Sequence, residues 1–212
     1  MAATLEEGVQ WCEATLGLTP GPGGRHALMS THNRLFSIAS DRYPQAYFEI
    51  IALDPQAPAP ARPRWFDMDN PTLRETVARS GPQLTHFVAR VPDASAAATA
   101  LGALGLDCGE VMQVSRPAGR GLLQWHITVR ADGQYLFDGC LPTLIQWGPT
   151  HPSQGMAESG ITLQELAAAH PQARTVGAAY KAIGLEGVRI SSGPARLSAR
   201  LLTPRGPIGI YS

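Results

Sequence analysis

The sequence predicts an α+β protein assembled from tandem strand–helix–strand units. Three observations carry this reading. A helix-like run that stops at an aliphatic-Gly-Leu triplet occurs three times, closing at Leu18, Leu106 and Leu185. Each run is followed by extended segments of alternating or continuous apolar character. Two Pro- and Gly-rich stretches, 54–64 and 147–160, separate the copies and read as linkers. Recurrence at intervals of about 80 to 90 residues is the signature of a repeated supersecondary unit.

The first unit spans residues 1–80. Thr4 and Glu7 form a capping-box pattern, and Leu5, Val9, Cys12 and Leu16 recur at helical spacing. Gly17 suits the residue after the helix, since glycine adopts the left-handed conformation there without steric cost; Gly105 and Gly184 repeat it. "HNRLFSIA" and "AYFEIIAL" follow as strands, and no strand precedes the helix. The second unit, 81–150, opens with "LTHFVARV", caps its helix with Asp93, and continues with "GEVMQVS", "LLQWHITVRA" and "YLFDGCL". The third, 158–212, repeats the order with "GITLQELAAAH", "PQARTVGAAYKAIG" and three short extended segments. All three are expected to pack as one domain.

Composition narrows the function classes. With 17 basic and 17 acidic side chains the 212-residue chain has no net charge, which gives no reason to expect nucleic acid as a partner. No apolar run approaches the roughly 20 residues that span a bilayer, and the first residues lack a signal-peptide layout, so no membrane association and a cytoplasmic location are expected. Cys12, Cys108 and Cys140 are odd in number and far apart; they read as buried thiols. "GPGG" at 21–24 lacks the Gly-Lys-Ser/Thr ending of a phosphate loop, and neither a G-x-S-x-G elbow nor an H-E-x-x-H helix is present.

The order of elements, with "GGRH", "THN", "YFEIIALDP" and "LPTLIQWGPTHP", resembles the glyoxalase-like domain family of the vicinal oxygen chelate superfamily. The resemblance covers about residues 1–190. It implies βαβββ units whose curved mixed sheets surround a cavity, here with the first strand of the first unit missing. That strand typically carries a His that serves as a ligand in metal-binding relatives, and without it the first sheet has an open edge or borrows a partner. Three units leave one to cap the barrel or to meet a second chain, and a homodimer is expected.

By the mapping that the resemblance implies, Glu49 and His86 are the nearest matches to metal ligands for one divalent ion, Zn, Fe, Mn or Ni. The residues themselves leave alternatives open. Period-2 alternation puts Tyr47, Glu49 and Ile51 on one face, and Glu49 either faces a ligand or forms an ion pair with Arg25 or Arg34. His86 is a ligand or a hydrogen-bonded structural residue. His26 and His32, with Arg25, Thr31 and Asn33, either offer ligand-binding groups and a general base or simply brace a loop. Trp125, Trp147 and Tyr135 are core or pocket wall, and His126 has no motif behind it.

Two functions follow. One is a lyase or dioxygenase-type enzyme acting on a small oxygenated substrate, with the metal as Lewis acid. The other is a metal-free small-molecule binding or resistance-type protein, in which Arg25, His32, Asn33 and Glu49 orient the ligand.

Overall fold

The computed structural model describes residues 1–118 and 121–212. In the first unit α1 (Leu5–Trp11) is capped by the Thr4 hydroxyl, which accepts from Glu7 N–H, and runs on into a π-helical turn, Cys12–Leu16. Gly17 ends it in the left-handed conformation, as Gly105 and Gly184 do after the other two helices. Strands β1 (Arg25–His26), β2 (Thr31–Ser37) and β3 (Tyr47–Leu53) form an antiparallel sheet in that order. The chain start lies along β3: Ala2 N–H donates to the Ile51 carbonyl at 2.9 Å, and Gln83 N–H donates to the Met1 carbonyl at 2.9 Å. The first of these bonds covers part of the β3 edge, and the second ties the chain start to the segment before the second unit.

The stretch before the second unit holds a helix that the sequence reading passed over. α2 (Pro71–Ser80) starts with proline at its first position, and Asn70 accepts from both Thr72 and Leu73 N–H. Both features are recognised helix starts. The second unit then follows the expected plan except at its last strand: "YLFDGCL", expected as extended, holds a 3-10 turn at Phe137–Gly139, and the strand lies in the segment after it. β4 (Val88–Arg90) leads into α3 (Ala94–Gly102), which Asp93 caps as expected. The strands β5 (Glu110–Ala118), β6 (Gly121–Val129) and β7 (Thr143–Trp147) complete the sheet. Its order is β4-β7-β6-β5, with β4 parallel to β7 and the other pairs antiparallel.

The third unit repeats the order of elements but not the order of strands. β8 (Thr162–Ala169), α4 (Ala173–Ala182), β9 (Val188–Ser191), β10 (Arg196–Thr203) and β11 (Gly206–Tyr211) form a sheet in the order β11-β10-β8-β9. Its first strand lies inside the sheet, whereas the first strand of unit two lies at an edge. The segment after α4 pairs parallel with β8, while the β10–β11 hairpin takes β8's other side. Periodicity reveals where strands are, but not which edge a strand joins.

Core packing shows what each sheet covers. Ile51, Leu123, Trp125, Ile127 and Ile145 form one core between the first two sheets, with Met29 and Trp65. Leu163, Ala199, Leu201 and Ile210 of the third sheet pack on Cys12 and Leu16 and on Phe36 and Ile50 behind the first sheet. α4 packs on α3 through Val176, Ala179, Ala97 and Leu101. The third unit therefore covers the backs of units one and two within the same chain. It does not cap a barrel, and the sheets close no barrel; an apolar core lies between the first two sheets.

Candidate functional site

Across β2 and β3, Asn33 lies opposite Ile51, Leu35 opposite Glu49 and Ser37 opposite Tyr47. Strand alternation then puts Asn33, Tyr47, Glu49 and Ile51 on the face turned to the second sheet, and His32 and Arg34 on the other. Asn33 is 5% exposed, and its whole amide is engaged. Gly24 N–H donates to Oδ1 at 2.7 Å, and because a backbone N–H only donates, this fixes the amide's orientation. Nδ2 donates to Glu49 Oε1 at 2.7 Å and faces His26 Nε2 at 3.4 Å. The imidazole proton therefore sits on Nδ1, directed at Thr31 Oγ1, 3.1 Å away.

Two adjacent glycines make this arrangement possible. A Cβ at Gly23 would collide with the carbonyl and side chain of Asn33, and one at Gly24 with the Arg116 guanidinium. "GPGG" is therefore a close-approach element, which its composition alone does not reveal. Arg116 arrives from β5, where it pairs with Leu123 in the series Met112–Ile127, Val114–Trp125 and Arg116–Leu123. Leu123, Trp125 and Ile127 are all buried, so Arg116 is the charged end of an inward, otherwise apolar face. Among the described residues no carboxylate lies within ion-pair distance of it.

The electrostatics reflect this crowding. Burial pushes the Glu49 carboxyl up, while the Asn33 hydrogen bond and the Arg116 charge oppose the rise. Burial, Arg116 and His32 lower His26 to about 4, which leaves its imidazole neutral at pH 7. Tyr47 is raised by burial and by the neighbouring Glu49 charge. A wall stands beside it: His151, 7% exposed, meets the Tyr47 ring edge-on at 5.9 Å and the Trp147 ring at 5.4 Å. Trp147 in turn lies 5.4 Å from Trp125. The stretch 147–160, expected as a linker, thus supplies a buried histidine to the site.

The other expected residues fall elsewhere. Arg25 bonds to Gln56 at 2.6 Å and Asp54 at 3.3 Å, and Arg34 is exposed, so neither pairs with Glu49. His32 faces away from Glu49, and Thr31 serves His26. His86 has both ring nitrogens in use: Nε2 accepts from Thr143 N–H at 3.0 Å, and Nδ1 faces the Gly139 carbonyl at 3.3 Å. Burial lowers it to about 4.

A metal would need a free lone pair from each ligand, and His86 does not offer one. His86 spends its Nε2 lone pair on Thr143, and Glu49 is held by an amide with an arginine nearby. Among the described residues no three His, Cys, Asp or Glu side chains come together in a metal-holding group. The Glu49–His86 pair does not fit a divalent ion in this arrangement. The cavity beside His86, lined by Trp65, Phe66, Tyr135 and Thr143, measures about 20 Å³, the room of one water. A groove of about 460 Å³ runs between α2 and the edge of β3, lined by Met1, Leu53, Pro71 and Val77.

Sequence reasoning missed Arg116, Tyr47 as a polar group, and His151. Arg116 had a signal: alternation through "VMQVSRP" places it in line with Met112 and Val114.

Among solved structures the chain is similar to a hypothetical protein from Staphylococcus aureus, with 14% identity, 84% of this chain and 78% of that chain covered, and a TM-score of 0.57. It also matches methylmalonyl-CoA epimerase from Streptomyces coelicolor at 13% identity, over 71% of this chain and 91% of that chain, with a TM-score of 0.41. A 4-hydroxymandelate synthase mutant from Streptomyces coelicolor matches at 13% identity over 99% of this chain and 60% of that chain, with a TM-score of 0.44. No curated protein matches. The family model described as glyoxalase-like domain matches residues 1–184, which include the two glycines, Asn33, Glu49, Arg116 and His151, and the chain belongs to that family.

Proposed function

We propose that the chain binds a small oxygenated molecule at the Asn33–Glu49–Arg116 cluster, with Glu49 as its acid–base group and no resident metal. The observation that carries this reading is the Asn33 amide, which engages one Glu49 oxygen at 2.7 Å inside a desolvated site. A carboxyl raised by burial has a pKa closer to neutrality, where it both takes and returns a proton. Arg116 supplies the positive charge that a metal-dependent relative would obtain from its ion. The lyase or dioxygenase-type activity expected from the resemblance belongs to the same site, with proton transfer by Glu49 as the step that these residues support. Three free cysteines favour a reducing compartment, and a cytoplasmic location and a homodimer complete the proposal.

The test is a thermal-shift screen of small hydroxy and keto compounds against the wild type and Glu49→Gln, beside elemental analysis of the purified protein. We expect compounds that raise Tm without added metal and lose the effect in the variant. One tightly held metal per chain that disappears with Glu49→Gln would overturn the reading. So would stabilisation that is unchanged in the variant.

A further inference from the structure

We propose that the ligand of this site is a small organic monocarboxylate with a planar apolar group, its carboxylate held by Arg116 and Tyr47. The inference rests on the site assignment above and names the chemical class that the site takes. Arg116 is half-buried, seated on Gly24, and without a carboxylate within ion-pair distance among the described residues. A guanidinium drawn partly out of water calls for an anion, and its planar fork matches a carboxylate through two parallel hydrogen bonds. Glu49 does not take that place, because Asn33 holds it and no ion pair links the two.

The neighbours refine the class. Tyr47 lies on the same sheet face as Glu49 with its ring edge-on to His151, and its hydroxyl would add a hydrogen bond to the carboxylate's. A dianion such as a phosphate monoester is disfavoured, since Arg116 is the one permanently charged cation at the cluster, burial lowers the Met1 amine that also feels Glu49 to about 6, His26 is neutral at pH 7, and Glu49 adds negative charge when ionised. The rings of Tyr47, His151 and Trp147 give the rest of the ligand flat apolar surface, which suits a planar group.

The test is a two-dimensional amide NMR titration with three probes: benzoate, its neutral isostere benzamide, and phenyl phosphate. We expect benzoate to shift the Gly24 amide and the Trp147 indole signals and to bind at least about tenfold more tightly than either other probe. Arg116→Gln should remove that preference by about tenfold or more, and Arg116→Lys should restore part of it. Benzamide matching benzoate at the same signals would overturn the carboxylate class while leaving the site standing. Phenyl phosphate binding more tightly, or benzoate affinity unchanged in Arg116→Gln, would also overturn the class. No shift at Gly24, Asn33 or Trp147 with any probe would overturn both the class and the site.

Discussion

The amide of Asn33 reaches Glu49 diagonally across β2 and β3. In the register Asn33 lies opposite Ile51, and Glu49 opposite Leu35, yet Nδ2 and Oε1 are 2.7 Å apart. Diagonal pairs are more widely spaced than direct ones, so the contact needs an amide aimed along the strand. Gly24 N–H provides the aim by holding Oδ1. A loop N–H, a strand asparagine and a strand glutamate therefore act as one unit, and losing any one of these hydrogen-bonding groups disturbs the other two.

Replacing Asn33 with Ala should cost roughly 2–4 kcal/mol of stability, because Gly24 N–H and the Glu49 carboxylate both lose a partner at a buried position. Urea denaturation of the variant measures this. A loss below about 1 kcal/mol would mean that water replaces the amide without penalty.

Glu49→Gln should stabilise the protein at pH 8 and change little at pH 4.5. A carboxyl whose folded pKa lies above its unfolded value favours folding only while protonated, and that contribution is lost as pH rises through the folded value. The groups acting on Glu49 are Asn33, Tyr47, Arg116 and the Met1 amine, and the glutamine oxygen can still accept from Asn33. Tm measured at both pH values decides the point. Destabilisation at pH 8 would show that Glu49 is held by an ion pair worth more than its burial costs.

Stability of the wild type should fall as pH drops from 6.5 to 4. His26, His86 and His151 are each lowered to about 4, chiefly by burial, so the unfolded chain takes up these protons first. For His86 alone the shift corresponds to about 3 kcal/mol at most, lost across that window and constant below it. Glu49 and Asp67, both raised by burial, work in the opposite direction, whereas the lowered carboxyls of Asp69 and Asp132 work with the three imidazoles. Chemical denaturation at half-unit pH steps tests this, and stability that is flat between pH 6.5 and 4 would contradict it.

What the sequence made legible was whatever local periodicity encodes. The helix ends at Gly17, Gly105 and Gly184, the Asp93 cap and the inward face of Tyr47, Glu49 and Ile51 all depend on neighbours a few residues away. The site also needs chain segments that meet only in three dimensions. Arg116 reaches Gly24 from another unit, and His151 comes from a stretch whose prolines read as a spacer. His86 shows the converse, since the family resemblance suggested a ligand and the residues left a structural role open, while its hydrogen bonds to Gly139 and Thr143 brace distant chain. The third sheet's order was hidden for the same reason: pairing of β9 with β8 is a long-range choice.

Gly24→Ala separates ligand binding from stability. Gly24 is not among the glycines with left-handed backbone, so alanine meets no conformational strain there. Its Cβ would instead strike the far end of the flexible Arg116 side chain, which can swing away at small cost. Stability should therefore change by less than about 1 kcal/mol, while displacement of the guanidinium should weaken benzoate binding by about tenfold. Gly102→Ala is the control: it sits in α3 with no atom within 4 Å of the added Cβ, and should add roughly 0.5–1 kcal/mol of helix stability without affecting binding. Thermal denaturation and benzoate titration of the two variants test this. If Gly24→Ala bound benzoate as tightly as the wild type, the seat on Gly24 would not be what positions Arg116.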